Sequence, residues 1–188
     1  HNLNTSESHY GSICSTHTFE DRLNTLQAAR DAKLELCSGV IVGMNEKPDD
    51  ILDVAFNLRR LDVASIPVNF LLPIPGTKLE DVQMLTPDYC LRALCLFRLV
   101  NPQAELRIAA GREYHLRQAQ IMGLMPANSL FMEGYLNATG DSVRETLQMV
   151  KDGGYSIESD FDLDELLNGK KEVSPHPILK TKADLHKV

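Results

Sequence analysis

The chain has no apolar run near the roughly 18–20 residues that span a bilayer, and no secretory signal pattern opens it. A membrane partner is therefore not expected. It has no compact set of cysteines either. Cys14, Cys37, Cys90 and Cys95 stand too far apart for a zinc-finger or dithiol motif, and the six histidines show no metal-ligand spacing. Without a disulfide framework, a reducing cytoplasm is the expected compartment. Positive charge is in deficit: 19 Lys and Arg against 26 Asp and Glu give a net charge of −7. That argues against a nucleic-acid binder, which would be expected to show a basic face. What remains is 43 % hydrophobic and 24 % charged residues over 188 positions, ordinary for a soluble globular domain with a sizeable core.

Periodicity along the chain predicts alternating strands and helices. Residues 1–6 (HNLNTS) read as a turn or the end of a strand, since Asn side chains readily bond nearby backbone. Thr18 with Asp21 forms an approximate capping box ahead of a helix carrying Phe19, Leu23, Leu26 and Ala29. Residues 34–44 read as a strand around the β-branched run Val40, Ile41 and Val42. Pro48, Asp49 and Asp50 suit a helix start, and Ile51, Val54, Leu58 and Leu61 give that helix an apolar stripe. Further strands are expected over 65–72, 105–111 and 128–132. Further helices are expected from Thr86, over about 113–122, and along Val143, Leu147 and Val150 up to Gly153 and Gly154. Such alternation means parallel strands joined by crossover helices. No Gly-x-Gly-x-x-Gly fingerprint follows the first strand, which disfavours a dinucleotide fold. The fold class is therefore α/β, the C-terminal half of a (β/α)8 barrel: about four βα units over 1–155, then a polar tail over 156–188 that carries one short helix.

In such a barrel, strand C-terminal ends and the loops after them surround the site. That rule nominates Cys37, Asn69, Arg107 and the first four residues. Each also has a plain structural reading. Cys37 would be a small buried hydrophobe, Arg107 would pair with a barrel acid, and Asn69 would cap a strand end. Gly39 and Gly43, in the pattern Gly-x-Ile-x-Gly-x-x-Glu ending at Glu46, mark places where something approaches the backbone closely. Cys90 and Cys95 read as core packing, Cys14 as a loop residue with no motif partner, and Arg112 with Glu113 as a structural salt bridge.

Five segments in order, HNLNTS, the stretch to Arg22, CSGVIVGMNE (37–46), PVNFLLPIPGT (67–77) and RIAAGRE (107–113), resemble the biotin synthase family of radical S-adenosylmethionine enzymes. The resemblance runs from His1 to about Asn137. It implies S-adenosylmethionine as cofactor and two clusters: a 4Fe–4S that cleaves it to a 5′-deoxyadenosyl radical, and a 2Fe–2S that supplies the sulfur inserted into dethiobiotin. By the same resemblance Cys37 and Arg107 match ligands of the 2Fe–2S cluster. Asn2, Asn4, Arg22 and Ile41 match positions against S-adenosylmethionine, although some members carry Asp at the position of Asn4. Asn69 matches a side chain on the ureido ring of dethiobiotin. Arg107 as a ligand is chemically unusual, because a guanidinium stays protonated near pH 7 and has no lone pair to offer. Chemistry alone makes it the charge partner of an anionic cluster. An external one-electron reductant, iron–sulfur assembly machinery and a homodimer are further implied.

The motif Cys-x-x-x-Cys-x-x-Cys is absent, and the chain begins at His1 rather than Met. In the family that motif lies upstream of the matched segments, so the expectation is a C-terminal portion that is inactive alone. Two other readings stand beside the first: a related radical S-adenosylmethionine enzyme of maturase or mutase type, and a non-catalytic truncated fragment.

Overall fold

The computed structural model describes residues 1–135, 138–160 and 162–168. Its centre is a sheet of four parallel strands in the order β1 (Val40–Val42), β2 (Ser65–Phe70), β3 (Glu105–Ile108) and β4 (Ser129–Leu130). Val40 lies opposite Val68, Val68 opposite Ile108, and Ile108 opposite Leu130. The expected strand end at the N-terminus is present. Asn4 bridges Val40, its N–H donating to the Gly39 carbonyl at 3.0 Å and its carbonyl accepting from Ile41 at 2.8 Å.

Strand alternation divides the sheet into two unlike faces. Val40, Val42, Ile66, Val68, Phe70, Leu106 and Ile108 point one way and are buried. Against them pack α3 (Pro48–Arg60), through Ile51, Val54 and Leu58, and α4 (Pro87–Val100), through Leu94 and Phe97. The crossovers therefore cover one face only, as in a half barrel, and the other face is what a closed barrel would turn inward.

Helix starts follow their caps. Thr18 accepts from Asp21 N–H at the head of α2 (Phe19–Asp31), and Thr86 accepts from Tyr89 N–H ahead of α4. One helix was not legible. It is α1 (Glu7–Ile13), capped by Ser6, whose hydroxyl accepts from His9 N–H at 3.2 Å. Strand lengths also differ from expectation. Residues 34–36 do not belong to β1: Lys33 turns to a φ of 61°, Leu34 N–H bonds back to Ala29, and Leu34 is 62 % exposed. The helix after β3 breaks at Arg117 (φ 52°) into α5 (Arg112–Leu116) and a 3-10 segment, Arg117–Leu124. A small antiparallel pair, β5 (Gly134–Tyr135) with β6 (Ala138–Thr139), was also unanticipated.

Cys95 corrects the core-packing assignment. It is exposed, whereas Cys90 is fully buried. Five residues advance a helix by about 500°, so the two thiols stand roughly 140° apart. Arg112 and Glu113 do form an ion pair, 2.7 Å long, with Arg112 only 1 % exposed and also donating to Thr146 of α6 (Val143–Asp152) at 3.3 Å. This buried guanidinium fastens the end of β3 to the last core helix. Beyond residue 155 one short helix, α7 (Leu163–Asn168), buries Leu167 and ion-pairs its Asp164 with Lys151 of α6. The rest of the expected tail, 169–188, lies outside the described residues. Among those described, no helix is long and apolar enough to cross a membrane.

Candidate functional site

The inward face of the sheet is polar. It carries Cys37, Gly39 and Ile41 from the first strand segment, then Ser65, Pro67 and Asn69 from β2. Glu105 and Arg107 follow from β3, and Ser129 and Phe131 from the β4 segment. The register sorts these residues into levels. Cys37 lies opposite Ser65, and Ser65 opposite Glu105; Pro67 lies opposite Arg107, and Arg107 opposite Ser129; Ile41 lies opposite Asn69.

This ordering overturns the expectation that Cys37, Asn69 and Arg107 share the strand C-terminal ends. Cys37 aligns with the first residues of β2 and β3, so it belongs to the opposite end of the sheet. Arg107 sits two residues, or about 7 Å, below the level of Asn69. The candidates form a stepped column, with Cys37 lowest beside Ser65 and Glu105, Arg107 one step above it, and Ile41 with Asn69 one step above Arg107. Cys37 is exposed rather than a buried hydrophobe.

Arg107 is held on three sides. Its Nε donates to Ser129 Oγ at 3.0 Å, its Nη2 ion-pairs with Glu105, and its guanidinium lies 5.4 Å from the centre of the Phe131 ring. The pairing with a barrel acid thus exists. Glu105 also accepts from Ser65 Oγ at 3.4 Å, which links Arg107 laterally to the neighbour of Cys37. Sequence reasoning missed Glu105, Ser65 and Ser129. Their shared parity with Arg107 in adjacent strands was the available signal.

At the upper level Asn69 is buried and uses both ends of its amide, donating to the Val40 carbonyl at 3.1 Å and accepting from Ala110 N–H at 3.3 Å. Ile41 is only partly buried while Val40 and Val42 on either side are fully so, because its face has no helix over it. Asn2 lies alongside, its Oδ1 accepting from Gly39 N–H at 3.0 Å, and Asn4 adopts a φ of 70°. Arg22, from α2, is brought to this corner. Its Nη1 donates to the Asn2 carbonyl at 2.8 Å, its Nη2 to His17 Nε2 at 2.9 Å, and its Nε to the Tyr10 hydroxyl. Asn4 thus stands beside Val40, next to Ile41 and Asn69, whereas Asn2, and Arg22 through it, stand one residue lower beside Gly39.

The two motif glycines serve close approach, but the approaching atoms belong to the chain itself. A Cβ on Gly39 would stand 1.9 Å from the Pro67 carbonyl oxygen of β2. Gly43 takes a φ of +102°, and a Cβ there would meet Leu85 at 3.1 Å. Glu46 closes the motif by accepting from Gly43 N–H at 2.8 Å and Met44 N–H at 2.6 Å.

Two carboxyl and thiol groups nearby are perturbed. Asp50 of α3 accepts from Ser6, from Ser8 Oγ at 2.7 Å and from Lys47 N–H at 2.7 Å, and these donors bring it down to about 2. It thereby ties the segment after Asn4 to α3. Cys14, which has no motif partner, lies 3.5 Å from Thr16 Oγ1 and 3.4 Å from His17 Nδ1; hydrogen bonding, chiefly from Thr16, lowers it to about 7. His17 also touches Arg22. Since a guanidinium only donates, Nε2 of that imidazole accepts, and neutral His17 carries its proton on Nδ1 toward Thr16 and Cys14.

Residues 67–156 match the family model described as the Biotin and Thiamin Synthesis associated domain. The chain is 56 % identical over 163 residues to a biotin synthase of Acaryochloris marina, covering 87 % of this chain and 47 % of the relative. It is 58 % identical over 158 residues to a biotin synthase of Magnetococcus marinus, covering 84 % of this chain and 49 % of the relative. It thus spans about half the length of these relatives. Among solved structures, the HMG-CoA lyase of Brucella melitensis superposes with a TM-score of 0.52 at 16 % identity, covering 80 % of this chain and 56 % of the lyase. At that identity the likeness is one of fold.

Proposed function

The chain belongs to the biotin synthase family, and from that premise we propose that it forms part of an enzyme that inserts sulfur into dethiobiotin to make biotin. The observation carrying this reading is the stepped polar column of Cys37, Arg107 and Asn69 on the sheet's open face, in a chain 56 % and 58 % identical, over 163 and 158 residues, to proteins named biotin synthase.

The groups such an enzyme uses are S-adenosylmethionine, a 4Fe–4S cluster and a 2Fe–2S cluster. When bound, the first two supply a deoxyadenosyl radical and the third supplies sulfur. This chain has no Cys-x-x-x-Cys-x-x-Cys, so in this reading the 4Fe–4S ligands lie outside residues 1–188. The lower part of the column supplies one thiol and one cation toward an anionic iron–sulfur group, whose other ligands lie outside residues 1–188 in this reading. Cys37 offers an accessible thiol, and Arg107 keeps Nη1 without a partner among the described residues. At the upper level the open face of Ile41 offers an apolar surface for a flat ring. Asn2 retains its amide N–H2 for a hydroxyl, and Arg22 supplies a cation for a carboxylate. Asn69 would present its buried amide edge to a ureido group, one protein hydrogen bond giving way to the substrate's. Cys37 and Ile41 are four residues apart on the first strand segment, about 13 Å, which separates the sulfur-donor end from the cofactor end in this reading.

The remaining partners in this reading are an external one-electron reductant, iron–sulfur assembly machinery and a second copy of the enzyme. The test is anaerobic turnover of the full-length protein carrying this chain, with S-adenosylmethionine, reductant and dethiobiotin. Biotin is expected from the unsubstituted protein and none from Cys37→Ala. Normal biotin yield from Cys37→Ala would remove Cys37 from its role, and no biotin from the unsubstituted, cluster-loaded protein would remove the function.

A further inference from the structure

We propose that Glu105 is the positioning residue for Arg107: with Ser129 it clamps two of the three guanidinium nitrogens and leaves Nη1 as the one presented to the interior. The inference rests on the function proposed above and names a residue that the family resemblance did not supply.

The argument begins with the sheet. Glu105 and Arg107 are two residues apart on β3, so alternation places them on the same face, successive along the strand. Arg107 has a long side chain with many rotamers and would sweep an open interior if it were unrestrained. The structure supplies three restraints. Nε donates to Ser129 Oγ at 3.0 Å across the β3–β4 ladder, where Arg107 and Ser129 are register partners. Nη2 is ion-paired with Glu105, and Glu105 is itself steadied by Ser65 Oγ at 3.4 Å across the β2–β3 ladder. Phe131 lies under the guanidinium at 5.4 Å. A planar group fixed at two corners and one face has a single remaining corner, Nη1.

The surroundings make this more than a surface pair. The Arg107 and Glu105 side chains are 27 % and 39 % exposed on a face that no helix covers, whereas a surface pair such as Asp88 and Arg92 is 73 % and 78 % exposed. The acid of the buried pair, Glu113, serves Arg112 and the backbone of Asp141 and is not available to Arg107. Glu105 is thus the one carboxylate in ion-pair contact with Arg107 among the described residues.

The test uses full-length protein carrying this chain, reconstituted anaerobically with iron and sulfide. Its readouts are the visible circular dichroism of the 2Fe–2S cluster and the rate at which a chelator bleaches it. Glu105→Gln keeps an acceptor at the same reach and is expected to retain the spectrum, bleaching within about twofold of the unsubstituted protein. Glu105→Ala releases Nη2 and is expected to shift the cluster bands and bleach roughly three- to tenfold faster, a charge-assisted hydrogen bond discounted for partial exposure. Glu105→Asp, too short to reach Nη2, is expected to follow Ala and serves if the Ala variant does not fold. A purely structural role would lower the unfolding midpoint without altering the cluster's bands. Unsubstituted protein with a normal 2Fe–2S spectrum, and substitutions that leave that spectrum and its lifetime unchanged, would overturn the positioning role alone. Equal losses in Gln and Ala would also overturn it, since charge and not reach would then be what matters. Unsubstituted protein that never acquires the 2Fe–2S spectrum would overturn the proposed function and this inference with it.

Discussion

Replacing Gly39 by alanine separates two explanations of the same motif. If the glycine clears space for a bound ring, the substitution weakens cofactor binding and leaves the fold intact. The structure argues otherwise, because the added Cβ would stand 1.9 Å from the Pro67 carbonyl oxygen and Cβ contacts under 3.0 Å essentially do not occur. The first strand segment and β2 would have to part by at least 1.1 Å, the difference between those two values. The strands lie only about 4.8 Å apart, so a shift of that size breaks the ladder locally. The bond from Ser38 N–H to the Ser65 carbonyl, 3.0 Å long, is the first to stretch out of range. Overpacking costs about 1–3 kcal/mol and the lost backbone bond about 1 kcal/mol, giving roughly 2–4 kcal/mol in all. That is a large part of the usual 5–15 kcal/mol of domain stability. Urea unfolding of full-length protein, followed by far-ultraviolet circular dichroism, is expected to show the Gly39→Ala midpoint lowered by about 1 M or more. Gly43→Ala gives the contrast: its Cβ would meet only a movable leucine side chain, so the cost is mainly that of a positive φ, about 1–2 kcal/mol. A Gly39→Ala protein with an unchanged midpoint and lost cofactor affinity would refute the packing argument.

Asp50→Ala strands Ser6, Ser8 and the Lys47 N–H without their acceptor and should cost about 2–3 kcal/mol, read from the same urea curves. Because folding lowers the Asp50 carboxyl from 3.8 to about 2, its contribution is fully present above roughly pH 4 and is lost as pH falls from 4 toward 2. The Ala variant should therefore lack that acid-side loss, and an identical acid profile in both proteins would dismiss the linkage. Mass spectrometry of native protein treated with iodoacetamide should find Cys14 alkylated with a half-maximal rate near pH 7, since hydrogen bonds from Thr16 and His17 bring its thiol there. Cys90, buried and pushed up to about 12, should remain unlabelled until the protein unfolds; labelling at a rate equal to that of Cys14 would contradict its burial.

The order of strands and helices was legible because each element announced itself locally, through the Thr18–Asp21 box, the Pro48 start and the Val40–Val42 run. Element ends were less so. Leu34 looks like strand and is instead the closing residue after α2, a difference set by the left-handed turn at Lys33, which apolar patterning does not encode. The helix α1 escaped notice because its sequence, ESHYGSI, buries only Tyr10 and so carries no periodic stripe. At the candidate site, residue types pointed correctly to a paired arginine, while its partner Glu105 required the register between β2, β3 and β4. Register also moved Cys37 to the other end of the sheet, and it explained Gly39 by a neighbouring strand that no local motif mentions.

The two-faced sheet has a consequence for how the chain can change length. One residue added or removed just before β3 would turn Leu106 and Ile108 into the interior and press Glu105 and Arg107 against Phe97 and Leu94. The connections that feed strand starts are therefore locked in length by parity, the turn at 101–104 above all. The connection that leaves β2, running from Leu71 to Thr86, carries no such parity lock, because it enters the helix α4 rather than a strand and an added residue there does not change which way Phe70 or Leu106 faces. Insertions that reshape the upper end of the column are free to collect there, while the floor that holds Cys37 and Arg107 admits substitution but no change of length.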